Sequence, residues 1–149
     1  MIKKNIIFIC LIIFLTNCGF SPIYLKNTNT NFSIENINYQ GDRELNSFIK
    51  TNLNQYKNEN SNRKIFIEAR SEYKKIILTK NSAGDVTNYK LVAKVTFLLK
   101  STNKKINITE EKIISSMDDK FEETRKERTV KQNFASSISN KLISELVIN

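Results

Sequence analysis

The chain has 149 residues with 24 Lys and Arg against 15 Asp and Glu, which gives a formal net charge of +9, and it contains two cysteines but no histidine or tryptophan. Without histidine, the usual general base and a common zinc ligand are missing, and no spacing of carboxylates, serines or lysines suggests a catalytic pair. Length and composition therefore favour one compact domain with a structural or binding role, and the basic balance points to anionic partners.

The N-terminus has the character of an export signal. Lys3 and Lys4 precede an apolar run from Ile6 to Leu15. That run is too short to cross a bilayer as a helix but is typical of a signal peptide. Because an exported chain meets no genome, its basic charge favours lipid head groups or an acidic protein surface over nucleic acid.

A cysteine at the end of this segment predicts lipid attachment. Leu15 and Thr16 before Cys18 fit the lipobox of bacterial lipoproteins, whereas Asn17 departs from it, since Gly, Ala or Ser is usual there. Cleavage after residues 1–17 would leave 132 residues with a net charge of +7 and, once Cys18 is acylated, no free thiol. The alternative is an ordinary signal peptide that happens to contain a cysteine.

The residues after the cysteine resemble a known family. Cys18-Gly19-Phe20, one variable residue, Pro22, another variable residue and Tyr24 resemble the mature N-terminus of the LPS-assembly lipoproteins (LptE). The resemblance implies a diacylglycerol and an amide-linked acyl chain such as palmitate on Cys18. Gly19 is, by resemblance to sorted lipoproteins, permissive for the outer membrane. Residues 18–31 then form a lipidated N-terminus and a polar tether.

A strand and a helix are predicted next. Phe32–Tyr39 is a short strand candidate whose apolar alternation slips between Ile34 and Ile37. Asp42 can cap a following helix. The apolar stripe of that helix is Leu45, Phe48, Ile49, Leu53 and Tyr56, and its end is expected in the polar cluster Asn58–Asn62.

A long hairpin is the most strongly patterned part of the sequence. Strands Lys64–Lys80 and Val86–Lys100 flank a turn at Asn81–Asp85, and the large apolar residues of both strands fall on odd positions. A register that keeps odd opposite odd would give this hairpin one buried and one wetter face. We expect it to be the rigid centre of the domain.

The remaining elements complete the fold. Lys105–Ser116 is predicted as a third antiparallel strand nearer an edge, and Asp118–Thr129 is either a solvated loop or the exposed beginning of a helix. The spacing of Val130, Phe134, Ile138, Leu142 and Leu146 predicts an amphipathic helix to near the C-terminus. Residues 32–149 are therefore expected to form a single α+β domain, a two-layer sandwich with two helices on one face of a four-stranded mixed sheet, in the order β-α-β-β-β-α.

The element order also resembles the LptE family, which implies a function without catalysis. The expected protein is an outer-membrane lipoprotein on the periplasmic face that assembles with the LptD β-barrel as a plug and helps deliver lipopolysaccharide to the outer leaflet. No catalytic residue, metal or cofactor is predicted, and no nucleic-acid partner. Two alternatives stay open: an unrelated periplasmic-facing lipoprotein that is a scaffold in another envelope complex, and an envelope hydrolase, against which the absence of a nucleophile-elbow pattern weighs.

Candidate contacts to lipopolysaccharide come from lysines near the hairpin turn. In the family such contacts involve basic side chains, but no local motif transfers their positions. The candidates are Lys74, Lys75, Lys80, Lys90 and Lys94. An ammonium group contacts phosphate as a point charge without a fixed geometry. The alternatives are a solvated face that keeps a basic domain soluble, and a basic patch around Lys104, Lys105 and Lys112.

Overall fold

Four strands form one mixed sheet, and two helices cover one of its faces. The computed structural model describes residues 31–58 and 61–148. Its elements are β1 (Ser33–Gly41), α1 (Arg43–Leu53), β2 (Lys64–Lys80), β3 (Val86–Leu99), β4 (Lys104–Ser115) and α2 (Lys120–Ile148). The strands lie in the order β1-β2-β3-β4, with β1 parallel to β2 and the other neighbours antiparallel. The predicted fold class and element order are confirmed.

The core lies between the helices and the sheet face that carries the odd-numbered residues of the hairpin and the even-numbered Ile106, Ile108 and Ile114 of β4. In the hairpin, Ala69 is opposite Phe97 and Tyr73 is opposite Ala93, so odd pairs with odd as the pattern predicts. The helices contribute their apolar stripes, including Ile49 and Ile138, which have no exposed surface. Because successive side chains of a strand alternate between faces, this register places one complete apolar set under the helices.

A bulge and a glycine fix the path of β1 into α1. The register of β1 against β2 shifts between Ile34 and Asn36, which explains the slip in its apolar alternation. Gly41 ends the strand with φ +97°, and a Cβ there would lie 1.9 Å from the carbonyl oxygen of Ser71. Asp42 then caps α1, since its side chain accepts a hydrogen bond of 2.7 Å from the Leu45 N–H.

One helix boundary differs from the sequence expectation, and another decides between the two alternatives that the sequence left open. α1 ends at Leu53, before the predicted polar cluster, and continues only as a 3-10 turn, Asn54–Tyr56. α2 begins at Lys120, so most of the charged segment left open between loop and helix is helical. Asp119 starts it, because its side chain accepts a hydrogen bond of 2.8 Å from the Phe121 N–H.

The turn and the point of chain entry lie at opposite ends of the sheet. β1 begins beside Lys64, the first residue of β2, whereas the turn follows Lys80, the last. The predicted signal peptide, the Cys18 motif and all of the tether except Asn31 lie outside the described residues. Neither helix is both long and apolar enough to cross a membrane, judged over residues 31–58 and 61–148.

The two faces of the hairpin should differ sharply in their tolerance of substitution. Phe97 has no exposed surface, so Phe97→Ala is expected to lower the free energy of unfolding by about 3–5 kcal/mol. Lys94→Ala on the opposite, exposed face should change it by less than about 0.5 kcal/mol. Urea unfolding of both variants checks this, and equal losses would contradict the assignment of faces.

Candidate functional site: the basic hairpin end

The turn that carries the candidate lysines is held by its first residue. The side-chain oxygen of Asn81 accepts hydrogen bonds from the N–H groups of Ala83, at 3.0 Å, and Asp85, at 2.8 Å. Gly84 donates its N–H to the Asn81 carbonyl and has φ +91°, a conformation that glycine adopts without steric cost. The end of the hairpin is therefore a defined turn that can position side chains beside it.

Strand alternation divides the candidate lysines between two faces. Lys74, Lys90 and Lys94 lie on the sheet face away from the helices, and Lys80 lies at the end of β2. Lys74 pairs with Glu72 at 2.6 Å and Lys90 pairs with Glu111. No ion pair to Lys80 or Lys94 is formed within the described residues.

Lys75 is separated from the other candidates. Its side chain is 28% exposed, and its ammonium group lies 2.8 Å from a Glu123 carboxylate oxygen and 3.0 Å from one of Glu127. It also lies 4.3 Å from the centre of the Tyr89 ring. Lys75 therefore joins the hairpin to α2, and the open face is left with the other lysines.

Exposed aliphatic side chains accompany these lysines, a feature that the sequence reasoning missed. Ile76 and Ile113 are 46% and 57% exposed and lie on either side of Lys90 in one row across three strands. Leu78 is 45% exposed close to the turn. The available signal was the apolar run Ile76-Ile77-Leu78 within an alternating strand. We call Lys74, Ile76, Leu78, Lys80, Lys90 and Ile113 the hairpin-end surface; it combines cations with aliphatic groups.

The buried carboxylate of Glu123 holds the N-terminal end of α2 against this end of the sheet. Glu123 is 4% exposed and accepts hydrogen bonds from Lys75, the Ser116 hydroxyl, the Met117 N–H and Lys120 at 2.8–3.2 Å. The hydrogen bond from Lys75, followed by that from the Met117 N–H, lowers the pKa of Glu123 to about 2. Its charged form is therefore part of the folded structure.

A second set of polar side chains lies between the helices and the sheet, next to Glu123. Lys131 is 7% exposed; its ammonium group lies 2.9 Å from a Glu44 oxygen and 4.0 Å from the centre of the Tyr73 ring. The Tyr73 hydroxyl donates a 3.0 Å hydrogen bond to Glu127, and burial raises the pKa of Tyr73. These groups, with Glu123 and Lys75, form what we call the polar layer.

The alternative basic patch, predicted around Lys104, Lys105 and Lys112, does not form one surface. Lys104 pairs with Glu145 of α2 at 3.1 Å. Lys105 and Lys112 are exposed, but an odd number of positions separates them along β4, so they lie on opposite faces. Of the two groups predicted from the sequence, the one at the hairpin end therefore provides the larger shared surface, which Lys75 does not join.

Comparison with known proteins identifies the fold. No protein-family model matches the sequence, and no curated protein matches it. Among solved structures, the rare lipoprotein B of Shewanella oneidensis is 12% identical with a TM-score of 0.54, over 74% of this chain and 92% of that one. The chain has the fold of this lipoprotein.

Two further solved structures share that fold. The uncharacterized lipoprotein B of Nitrosomonas europaea is 14% identical with a TM-score of 0.55, over 78% of this chain and 85% of that one. The minor lipoprotein of Acinetobacter baumannii is also 14% identical, with a TM-score of 0.51 over 74% and 94% of the two chains. The resemblance covers nearly the whole length of these lipoproteins.

Removing the charge of Glu123 should destabilise the protein in a pH-dependent way. Because its pKa in the folded state lies below the ordinary value of 4.5, its contribution to stability is complete above about pH 4.5 and is lost as the pH falls towards 2. Glu123→Gln should cost on the order of 2 kcal/mol at pH 7. The difference from the unsubstituted protein should shrink at acid pH in chemical unfolding.

The matched control for this prediction lies one residue away. Glu122 pairs with Arg125 on the surface of α2, so Glu122→Gln should change stability by less than about 0.5 kcal/mol at either pH. A loss in Glu123→Gln that stays constant between pH 6 and pH 2 would refute the assigned role of the carboxylate.

Proposed function

We propose that this chain is an LPS-assembly lipoprotein of the LptE type. It is anchored by lipid on Cys18 at the periplasmic face of the outer membrane, assembles with the LptD β-barrel as a plug, and helps deliver lipopolysaccharide to the outer leaflet. The observation that carries the proposal is the fold shared with solved lipoproteins over 85–94% of their lengths.

The N-terminal sequence supports the proposal independently of the fold. A signal-peptide pattern ends at Cys18, and Gly19, Phe20, Pro22 and Tyr24 follow with the spacing of the family. Lipidation with a diacylglycerol and an amide-linked acyl chain would exceed the two membrane signals that stable anchoring requires.

The hairpin-end surface supports the lipopolysaccharide part of the proposal. Lipopolysaccharide combines phosphates and acidic sugars with acyl chains. Lys74, Lys80 and Lys90 can contact the phosphates, and Ile76 and Ile113 beside Lys90 can contact aliphatic groups. The phosphate contacts are sensitive to salt, whereas the aliphatic contacts are not.

Replacing the hairpin lysines should weaken binding of lipopolysaccharide. At about 1 kcal/mol per lysine, the combined variant Lys74→Ser, Lys80→Ser and Lys90→Ser should lose on the order of 100-fold in affinity at low salt and less at moderate salt. Titration of lipopolysaccharide into the detergent-solubilised protein measures this loss.

A variant with the same charge change at other sites provides the control. Lys105, Lys112 and Lys126 are exposed, and changing all three to Ser should leave the affinity within about twofold of the unsubstituted protein. Unchanged affinity in the hairpin variant, with its circular dichroism intact, would remove the hairpin-end surface from the ligand site. A loss confined to the control variant would move the site to β4 and α2.

The mature N-terminus can be tested separately from the ligand. Intact-mass spectrometry of protein from membranes should give a chain that begins at Cys18 and carries a diacylglycerol and one further acyl chain. The variant Cys18→Ser should lack this mass and leave the membrane fraction. Cleavage at another position, or an unmodified Cys18, would end the lipoprotein proposal; modification with retention in the inner membrane would refute only the location.

A further inference from the structure

β1 is an open edge of the sheet without the usual protection. Within the described residues it pairs only with β2, so its other backbone edge is free to bond. β4, the opposite edge, has five charged residues, Lys104, Lys105, Glu110, Glu111 and Lys112. β1 has one, Glu35, which lies at the bulge and pairs with Lys64 at 3.6 Å. Beyond the bulge, Asn36–Gly41 is uncharged and pairs with β2 in unbroken register.

A small cavity opens beside this edge, between β1 and α1. Its volume is about 160 Å³, and its apolar walls are Ile34, Ile37, Tyr39 and Leu53. An apolar cavity of about 150 Å³ is enough to hold benzene. The cavity is therefore of the size that one leucine or phenylalanine side chain fills.

Cations without partners surround the cavity. Lys50 and Lys57 line it, and Arg43 lines an adjoining groove together with Lys50. All three are exposed, and none forms an ion pair within residues 31–58 and 61–148. The nearby carboxylate of Glu44 is already paired with Lys131, at 2.9 Å. This edge therefore presents a positive field that the domain does not neutralise.

The adjoining groove also has a hydrogen-bond acceptor without a donor. Asn46 lines it and is 8% exposed; its side-chain nitrogen donates to the Gln40 carbonyl, but its side-chain oxygen has no partner. Buried polar atoms in native structures are nearly always paired. The unpaired side-chain oxygen of Asn46 is therefore what we expect in a groove where a hydrogen-bond donor of another molecule binds.

We propose that the edge of β1 from Asn36 to Gln40 docks an extended segment of a partner protein that has one apolar side chain between acidic residues. The segment adds a strand through main-chain hydrogen bonds, and its apolar side chain fills the cavity. Its carboxylates, two positions away on the same face of the strand, pair with Lys50 and Lys57. The proposal goes beyond the proposed function and does not involve the hairpin-end surface.

The positive charge beside β1 favours an acidic partner segment over two other possible occupants of this edge. A second copy paired through its own β1 would bring two sets of Arg43, Lys50 and Lys57 together, which like-charge repulsion opposes. Residues 19–31 of the same chain include Lys26 and no acidic residue, so they would leave the three cations unpaired. An acidic segment from another protein satisfies both the cavity and the cations.

The test uses full-length protein in detergent and a capped, fluorescent heptapeptide, Thr-Glu-Thr-Leu-Thr-Glu-Thr, with fluorescence anisotropy as the readout. We expect saturable binding that weakens with salt. It should fall by about tenfold or more when both Glu are replaced by Lys, when Leu is replaced by Asn, or when alternate peptide nitrogens are methylated. The last change removes the main-chain donors that strand addition needs.

Protein variants complete the test. The double variant Lys50→Ser and Lys57→Ser should bind the acidic peptide about tenfold more weakly. The matched double variant Lys105→Ser and Lys126→Ser should bind it with unchanged affinity. Lipopolysaccharide affinity should be the same in both, which separates this proposal from the proposed function. Equal binding of the Glu and Lys peptides, no saturation below about 1 mM, or self-association that becomes tighter in the Lys50→Ser and Lys57→Ser variant would each overturn the proposal.

Discussion

The antiparallel register between β2 and β3 is the constraint on which the rest of the structure depends. Pairing Ala69 with Phe97 puts the odd-numbered apolar side chains of β2 up to Tyr73, and those of β3 from Leu91 onwards, under the helices. A shift of one residue would expose that set and bury the charged one instead. The same register sends Lys74 and Lys90 to the open face and Lys75 to the helix side. It therefore determines both where the core lies and which lysines a ligand can reach.

The contacts that hold α2 on the sheet change along the helix from polar to apolar. Its C-terminal half is held by buried apolar residues such as Ile138 and Leu142, which have no exposed surface. Its first turns are held by the polar layer, in which Glu123 and Lys131 are buried only because each meets an opposite charge. Apolar contacts tolerate changes of pH, whereas the contacts of Glu123 require its carboxylate to stay ionised. The end of the helix beside the hairpin turn is thus the part most sensitive to its chemical surroundings.

Much of the fold could be predicted because its signals are local. Apolar residues on odd positions identified the hairpin, and the four-residue spacing from Val130 to Leu146 identified the second helix. Asp42 as a cap also follows from residue type and position alone. The charged segment before Val130 could not be decided, because its helix rests on the contact of Glu123 with Lys75, 48 positions away along the chain.

The candidate site was only partly accessible to the same reasoning. A cluster of lysines in sequence indicated a basic surface, but alternation along β2 removes Lys75 from it. The exposed row of Ile76, Lys90 and Ile113 combines three strands, so it required the register of both pairs of neighbours. Likewise, the cavity beside β1 is formed by β1 together with α1 and depends on a bulge that shifts the strand by one residue.

The distance between the start of β1 and the hairpin turn is set by the length of β2. β2 has 17 residues and starts beside the point where the tether joins β1. At about 3.3 Å per residue it spans on the order of 50 Å. A coil of the length of residues 18–31 would add about 20 Å, so lipid attachment at Cys18, as proposed, would let the turn lie farther from the anchor than the roughly 30 Å hydrocarbon core of a bilayer is thick. Within the described residues, the hairpin turn and the start of β1 lie at opposite ends of the sheet, so the turn would face away from an anchor on the N-terminal side.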